Sequence, residues 1–385
     1  MLLSCQKHLF SLDPGLHYLN GAYMSPQLRS VEAAGLHSLR AKNNPAKVVP
    51  LDFFTQANEL RGLFARLVHA ATPESVALVP AASYGMAIVA KNLPCQKGQK
   101  IVIAEGQFPS NVYPWMALAK EKGLEIQIVP MPIEPENRGR RWNERILAAI
   151  DDSTALVSIG HIHWANGTLF DLESISQRVH HHGGLIAVDG TQSVGALPMD
   201  VERFGLDALV CAGYKWLMGP YSLGYAYFGA AFANGQPLEE NWINRRNSED
   251  FSRLVDYQPD YQPGMLRYDV GERSNFVLMP MAIAALQQLL AWGPANIQDY
   301  CRRLLTDVLP QWEAAGFLVE NADQRAAHLF GIQLPAGLAA ATLQERLRDH
   351  NISVSVRGEF VRIAPNVYND AADLAALTHV LTMGA

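Results

Sequence analysis

Short apolar runs recur along the first two-thirds of the chain, at Val76–Val79 and at residues 101–104, 126–129, 155–159, 185–188 and 208–211, with amphipathic stretches between them. Strand-length runs alternating with helical patterns predict βαβ units and a mostly parallel sheet. The intervening helices are readable too. Over residues 171–182 the apolar Leu172, Ile175 and Val179 fall at i, i+3 and i+7, and Gly183 follows as a stop signal. After about residue 280 the pattern changes to an Ala/Leu-rich helix over 281–292, then further helices with short strands near Phe330–Gln333 and 361–363. The expectation is an α/β fold: a large domain over 31–280 and a smaller α+β domain over 281–385. Residues 234–270, rich in Asn, Arg, Asp, Tyr and Pro, read as a long functional loop.

Length supports that division, because 385 residues exceed what one hydrophobic core usually serves. The composition, 49% hydrophobic and 18% charged, suits a globular protein with a large core. A formal charge of −6 with no dense Lys/Arg run argues against nucleic acid as a partner. Residues 216–235 carry no charge, which matches a membrane span in length. Gly219, Pro220, Gly224 and Gly229 divide that stretch, so it reads as buried strand and turn, with no membrane partner. Cys5, Cys95, Cys211 and Cys301 are far apart and form no C-x-x-C pair, which fits a reducing cytoplasm. The first residues have too short an apolar stretch for a signal peptide, and no processing segment is expected.

Ligands of parallel α/β sheets sit beyond the carboxyl ends of the strands. Asp189 and Lys215 both occupy such ends. A surface lysine is the plain reading of Lys215, but Tyr214, Trp216 and Leu217 beside it would desolvate the amine, lower its pKa and make it nucleophilic toward an aldehyde. An amine for a Schiff base and a carboxylate to keep a pyridine nitrogen protonated are what pyridoxal phosphate requires. Ala81-Ala82-Ser83-Tyr84-Gly85 follows the run at Val76–Val79 and opens a helix, so its N–H groups and the Ser83 hydroxyl form an anion cradle for a phosphate. Two competing readings of Ser83 are a plain N-cap and the serine of a degenerate nucleophile elbow in an α/β-hydrolase. The hydrolase reading leaves Lys215 unexplained.

Val188-Asp189-Gly190-Thr191-Gln192-Ser193 and Ala212-Gly213-Tyr214-Lys215-Trp216-Leu217-Met218-Gly219-Pro220 resemble, in order and separation, motifs of class V of the fold-type I pyridoxal-phosphate enzymes. That branch includes kynureninases, cysteine desulfurases and isopenicillin-N epimerase-like proteins. The resemblance runs through most of the chain. It implies that residues 1–30 join the small domain, that Lys215 carries the cofactor, that Asp189 pairs with its ring nitrogen and that Gln192 bonds its phenolic oxygen. Ala82, Ser83 and Tyr214 would contact the phosphate. Phe108, in Gln107-Phe108-Pro109-Ser110-Asn111, resembles a kynureninase phenylalanine that stacks on the cofactor, where position alone suggests a core residue. Arg362, in Val361-Arg362-Ile363-Ala364-Pro365, resembles the arginine that grips a substrate carboxylate, a task suited to its planar fork. The segment His163-Trp164-Ala165-Asn166 resembles one beside the cofactor, with His161 and His163 read as sharing one strand face; His163, Trp164 and Asn166 are therefore substrate-contact candidates. Gly271-Glu272-Arg273-Ser274-Asn275 resembles a segment that reaches the neighbouring subunit's cofactor, which implies a homodimer with Ser274 and Asn275 near the interface.

Histidines 180–182 are consecutive, so on a helix they diverge, and no zinc or nucleotide motif is present; no metal is required. The substrate implied is an amino acid, and the reaction an aminotransferase's or a related lyase's. Kynureninase-like, C–S lyase and epimerase outcomes remain as alternatives, and a non-catalytic cofactor-binding regulator is the alternative outside catalysis. A desulfurase-type sulfur relay is disfavoured, because no cysteine follows Cys301 on the way to Arg362.

Overall fold

The computed structural model describes residues 2–383. A two-residue strand, β1 (His17–Tyr18), and two helices, α1 (Arg29–Ala41) and α2 (Asp52–Leu67), precede the central sheet. Its seven strands are β2 (Val76–Val79), β3 (Lys100–Ala104), β4 (Glu125–Val129), β5 (Thr154–Gly160), β6 (Leu185–Asp189), β7 (Ala208–Ala212) and β8 (Gly224–Phe228), in spatial order β2-β8-β7-β6-β5-β3-β4. Helices α3 (Ala82–Asn92), α4 (Tyr113–Lys122), α5 (Arg138–Ala148) and α6 (Leu172–His181) follow β2, β3, β4 and β5 in turn.

The mostly parallel sheet read from the sequence is present, with β8 running against both of its neighbours, β2 and β7. The reason is chain length. Only residues 213–223 join β7 to β8, which is too short for the helical crossover that parallel neighbours need. Apart from the half-exposed edge strand β4, the strands are near-continuous apolar runs because both faces are covered. Successive side chains alternate between two cores: Val76 and Leu78 join one, while Ala77 and Val79 join the other. The first core continues into the C-terminal elements through residues such as Leu289, Phe330 and Leu374.

Helix ends follow local chemistry. Asp171 caps α6 by accepting the Ser174 N–H at 3.1 Å, and Gly183, at φ +76°, closes it in the left-handed conformation. Helix α7 (Leu278–Trp292) starts three residues before the predicted 281, with Pro280 in its first turn, where a missing N–H forfeits no bond.

Beyond α7 lie α8 (Pro294–Leu305), α9 (Leu309–Ala314), β9 (Leu318–Val319), β10 (Phe330–Gln333), α10 (Ala340–Asp349), β11 (Ile352–Ser353), β12 (Ser355–Arg357), β13 (Phe360–Ile363) and α11 (Ala371–Thr382). Strands β12-β13-β10-β9 form an antiparallel sheet. Strand β11 pairs in parallel with β1, and the Gln6 N–H bonds the Val367 carbonyl at 2.7 Å. Strands β9, β11 and β12 are two or three residues long, too short to leave an alternation in sequence. No helix among the described residues is long and apolar enough to cross a membrane, and the uncharged stretch 216–235 contains β8 between turns.

One buried ionic cluster locks β2 to the segment after residue 268. Arg61 grips Asp269 with two nitrogens, at 2.8 and 2.5 Å, and also donates to the Val76 carbonyl. The Asp269 carboxylate accepts the Leu78 N–H at 2.7 Å. The Arg273 Nε lies 3.1 Å from the same carboxylate, close enough for ionic attraction but out of line for a hydrogen bond. Burial drags the Arg273 pKa down to about 10, against the pull of Asp269. Removing the single acid strands two buried guanidiniums, so Asp269→Ala should destabilise the protein by about 3–5 kcal/mol. Asp269→Asn, which can still accept the Leu78 N–H, should lose less; urea unfolding of both variants measures the difference.

Candidate active site

Lys215 sits in the connection from β7 to β8, which closes on itself. The Gly213 N–H bonds the Leu223 carbonyl, the Gly219 N–H bonds Gly213 and the Met218 N–H bonds Lys215, each at 2.9 Å. The amine is enclosed by aromatic residues: Nζ lies 5.5 Å from the Phe108 ring centroid and 5.7 Å from that of Tyr214. Lys215 is only 7% exposed, and among the described residues Nζ has no hydrogen bond or ion pair. Burial dominates its protonation and brings the pKa down to about 8; Asp189 opposes the fall, while Arg362 and Arg357 add to it. The surface-lysine reading is thereby excluded.

Nζ faces a cavity of about 230 Å³ at the carboxyl ends of β5, β6 and β7, walled by Gly160, Asp189 and Ala212. Opposite them, Ala82 and Ser83 form the first turn of α3. The N-cap of α3 is Ala81, with no side-chain cap, so Ser83 is not the capping residue. The N–H groups of Tyr84 and Gly85 turn back to the Ala81 carbonyl, whereas those of Ala82 and Ser83 have no acceptor among the described residues. Two free N–H groups, a hydroxyl and the positive end of an eleven-residue helix make an anion cradle. No histidine or carboxylate hydrogen-bonds the Ser83 hydroxyl among the described residues, which removes the nucleophile-elbow reading.

Asp189 holds one carboxylate oxygen with the Thr191 N–H at 3.0 Å and lines the cavity. Gln192 is oriented by its neighbours. Its Oε1 accepts the Trp216 indole N–H at 2.9 Å and its Nε2 donates to the Ala22 carbonyl at 3.2 Å, leaving the second amide hydrogen for the cavity. Behind Gln192 stands His328, neutral because burial lowers its pKa to about 4. Its Nε2 donates to the Gln192 carbonyl at 2.8 Å, its Nδ1 accepts from Gln298 at 2.6 Å, and its ring meets Trp216 edge-on. Phe108 is 38% exposed and faces the cavity beside Trp164, so it is no core residue. Tyr214 packs against Tyr221, with ring centroids 4.6 Å apart, and both line the cavity.

Arg362 is 2% exposed on β13. Its Nη1 donates to the Trp164 carbonyl at 2.8 Å, its Nη2 reaches the Ser355 hydroxyl at 3.3 Å, and its buried Nε has no partner. Burial, reinforced by Arg357, lowers its pKa to about 10, so it remains a cation. It is not the surface arginine that position alone suggests.

Four expected contacts lie elsewhere. His163 is buried behind Trp164, against Trp142, with Nε2 held 3.2 Å from the Glu105 and Gly106 carbonyls; burial lowers its pKa to about 4 and its role is packing. His161 and His163 follow β5, which ends at Gly160, so they share no strand face. Asn166 closes a turn by accepting the Thr168 N–H, and its carbonyl bonds Gly331, which removes it from the cavity. Ser274 donates to the Phe53 carbonyl and Asn275 accepts two N–H groups at the start of α7, both apart from the Lys215 cavity of the same chain. Conversely, Thr191 and Tyr221 were not singled out in the sequence, although Thr191 lies inside the Asp189 motif.

Residues 31–375 match the family model described as Aminotransferase class-V. The chain belongs to the class-V aminotransferase family. Among similar class-V proteins is an uncharacterized aminotransferase of Bacillus subtilis (strain 168), 26% identical over 82% of this chain and 80% of the relative. A cysteine desulfurase of Yersinia pestis bv. Antiqua (strain Angola) is 28% identical over 85% and 78%. The fold is shared with the apo cysteine desulfurase of Thermococcus onnurineus NA1, at a TM-score of 0.83, 19% identity and coverage of 99% and 98%. It is also shared with the cystine C-S lyase C-DES in complex with cysteine persulfide, at 0.80, 18%, 96% and 98%. As a class-V member the chain is a pyridoxal-phosphate enzyme, and its unpaired amine, free first-turn N–H groups and oriented carboxylate fit that cofactor.

The depressed Lys215 pKa has a stability consequence in cofactor-free protein. The unfolded chain binds the amine's proton more tightly, so this group's contribution is fully present above the unfolded pKa near 10.5 and is lost as pH falls through about 8. Lys215→Met should therefore stabilise the cofactor-free protein at pH 7 by roughly 3 kcal/mol, a gain that vanishes by about pH 11. Urea unfolding at the two pH values tests the sign.

Proposed function

We propose that the protein is an amino-acid aminotransferase, with loss of a β-substituent from the same substrate class as the second reading. The observation that carries this is a buried, unpaired, readily deprotonated lysine facing a carboxylate across a cavity that also holds an anion cradle. When bound, pyridoxal phosphate supplies an aldehyde that condenses with amines and a ring that withdraws electrons from the substrate Cα. The chain's residues do the rest. Ala82 and Ser83 bind the phosphate, Phe108 packs on the ring, Asp189 holds the protonated ring nitrogen and Gln192 donates to the phenolic oxygen. Arg362 grips the substrate carboxylate and orients Cα toward Lys215. With its pKa lowered to about 8, Lys215 can take a proton from Cα and return it.

A persulfide relay fits poorly. Strands β12 and β13 close through Gly358 and Glu359 alone, Cys211 and Cys301 are buried, and no cysteine lines the cavity. The large domain, 31–280, holds the cofactor, while 281–385, joined by 1–30, brings Arg362. A homodimer is supported by a hollow of about 1040 Å³ where Ser274 and Asn275 lie with Val48 and Trp242, two large apolar side chains that are 40% and 41% exposed. Four unpaired cysteines suit a reducing cytoplasm.

The visible absorbance of the purified protein tests the central assignment. An amine-linked cofactor band should appear, disappear in Lys215→Ala and shift with particular amino acids. Release of a keto acid with the nitrogen retained on the enzyme marks transamination, whereas ammonia release marks the lyase; a colourless protein that ignores added cofactor overturns both. Ser83→Ala should weaken cofactor affinity about 10-fold by removing one hydrogen bond to a charged group, without abolishing turnover at saturating cofactor.

A further inference from the structure

Two arginines, rather than one, stand behind Trp164 at the wall of the cavity without an acidic partner. Register places Ser355 opposite Arg362 and Arg357 opposite Phe360, so Arg357 and Arg362 project from the same face of the β12–β13 hairpin. Both meet Trp164, which itself lines the Lys215 cavity. Arg362 donates to the Trp164 carbonyl at 2.8 Å, and the Arg357 guanidinium carbon lies 5.9 Å from the Trp164 ring centroid. The indole is held in place by its own bond to the Gly106 carbonyl at 2.7 Å. Neither arginine has an ion pair among the described residues, and the buried Nε of each has no acceptor. Arg357 spends one nitrogen on the adjacent Val356 carbonyl. Glu359, the nearest acid in sequence, is taken by the Gln333 amide at 2.7 Å.

The charge balance is uneven. Both guanidiniums act on the Lys215 amine in the same direction, and Asp189 is the acid that opposes them. That acid is assigned to the ring nitrogen of the cofactor. One substrate carboxylate satisfies one planar fork, which leaves the second cation on the same face without a counter-charge.

We propose that Arg357 forms a second anion subsite and that the substrate is an α-amino acid whose side chain ends in an acidic group. This rests on the proposed function, in which Arg362 takes the α-carboxylate. Arg357 then sets specificity through the distal acid, with Trp164 as the wall along which the side chain lies. An amide of equal size leaves the guanidinium unpaired, so discrimination comes from charge rather than shape.

Isosteric pairs isolate that term. Spectral titrations of the cofactor-loaded protein with L-aspartate against L-asparagine, and L-glutamate against L-glutamine, give apparent dissociation constants. In at least one pair the acid should bind about 30-fold tighter or more, a typical gain from one charge-assisted bidentate contact. Arg357→Gln should collapse the ratio to within about 3-fold, and Arg357→Glu should invert it and favour L-ornithine, while an intact cofactor band in each variant reports a folded site. A wild-type ratio near one, or a ratio unchanged in Arg357→Gln, overturns this proposal while leaving the amino-acid reading intact. Failure of every amino acid to change the spectrum overturns both.

Discussion

The organisation of the site depends on keeping one amine dry. Lys215 is covered by Phe108 and Tyr214, and the loss of hydration outweighs the attraction of Asp189. Burial therefore disfavours the ammonium relative to the free amine and brings deprotonation down to about pH 8. Around it, Phe108 and Tyr214 shield the amine, Asp189 lines the same cavity without an ion pair to it, and Arg357 and Arg362 add positive charge from the C-terminal sheet. A closer acid would satisfy the lysine and quench its reactivity.

Gln192, beside this amine, is fixed by neighbours that do not themselves line the cavity. Gln192 cannot flip, because a tryptophan offers only a donor and a backbone carbonyl only an acceptor. His328 is similarly pinned between Gln192 and Gln298. Asp269 plays the corresponding part on the other side: its bond to Leu78 steadies the strand that leads into the cradle, and its contacts with Arg61 and Arg273 anchor the segment carrying Ser274.

Much of this was legible in the sequence, because the central strands are buried on both faces and their apolar runs are unbroken. Lys215, Asp189 and Ser83 could be named because each follows a strand or opens a helix, where a polar residue has few structural reasons to be; Phe108 was legible only through the resemblance of its segment to a kynureninase motif. What escaped was set by tertiary contact. His163 and Asn166 adjoin the cavity in sequence but turn away from it, one to close on Glu105 and Gly106, the other to close a tight turn. Arg357 left no signal, since β12 is three residues long and its relation to Arg362 exists only through the hairpin register. The reversal of β8 was encoded only in the shortness of the connection before it.

That reversal sets the lysine loop apart from the rest of the site in how it is assembled. Lys215 lies in a loop closed by strands paired Ala212 to Gly224, so little chain entropy is lost in forming it. Arg362 meets the wall of that cavity through its bond to Trp164, 198 residues away in sequence. The lysine's own loop is thus closed by a local pairing, whereas Ser83, Phe108, Asp189 and the C-terminal hairpin are brought to it by contacts between residues far apart in sequence. The lysine loop therefore needs only β7 and β8 to be paired, while the cavity around it closes only when the whole sheet and the C-terminal hairpin are in place.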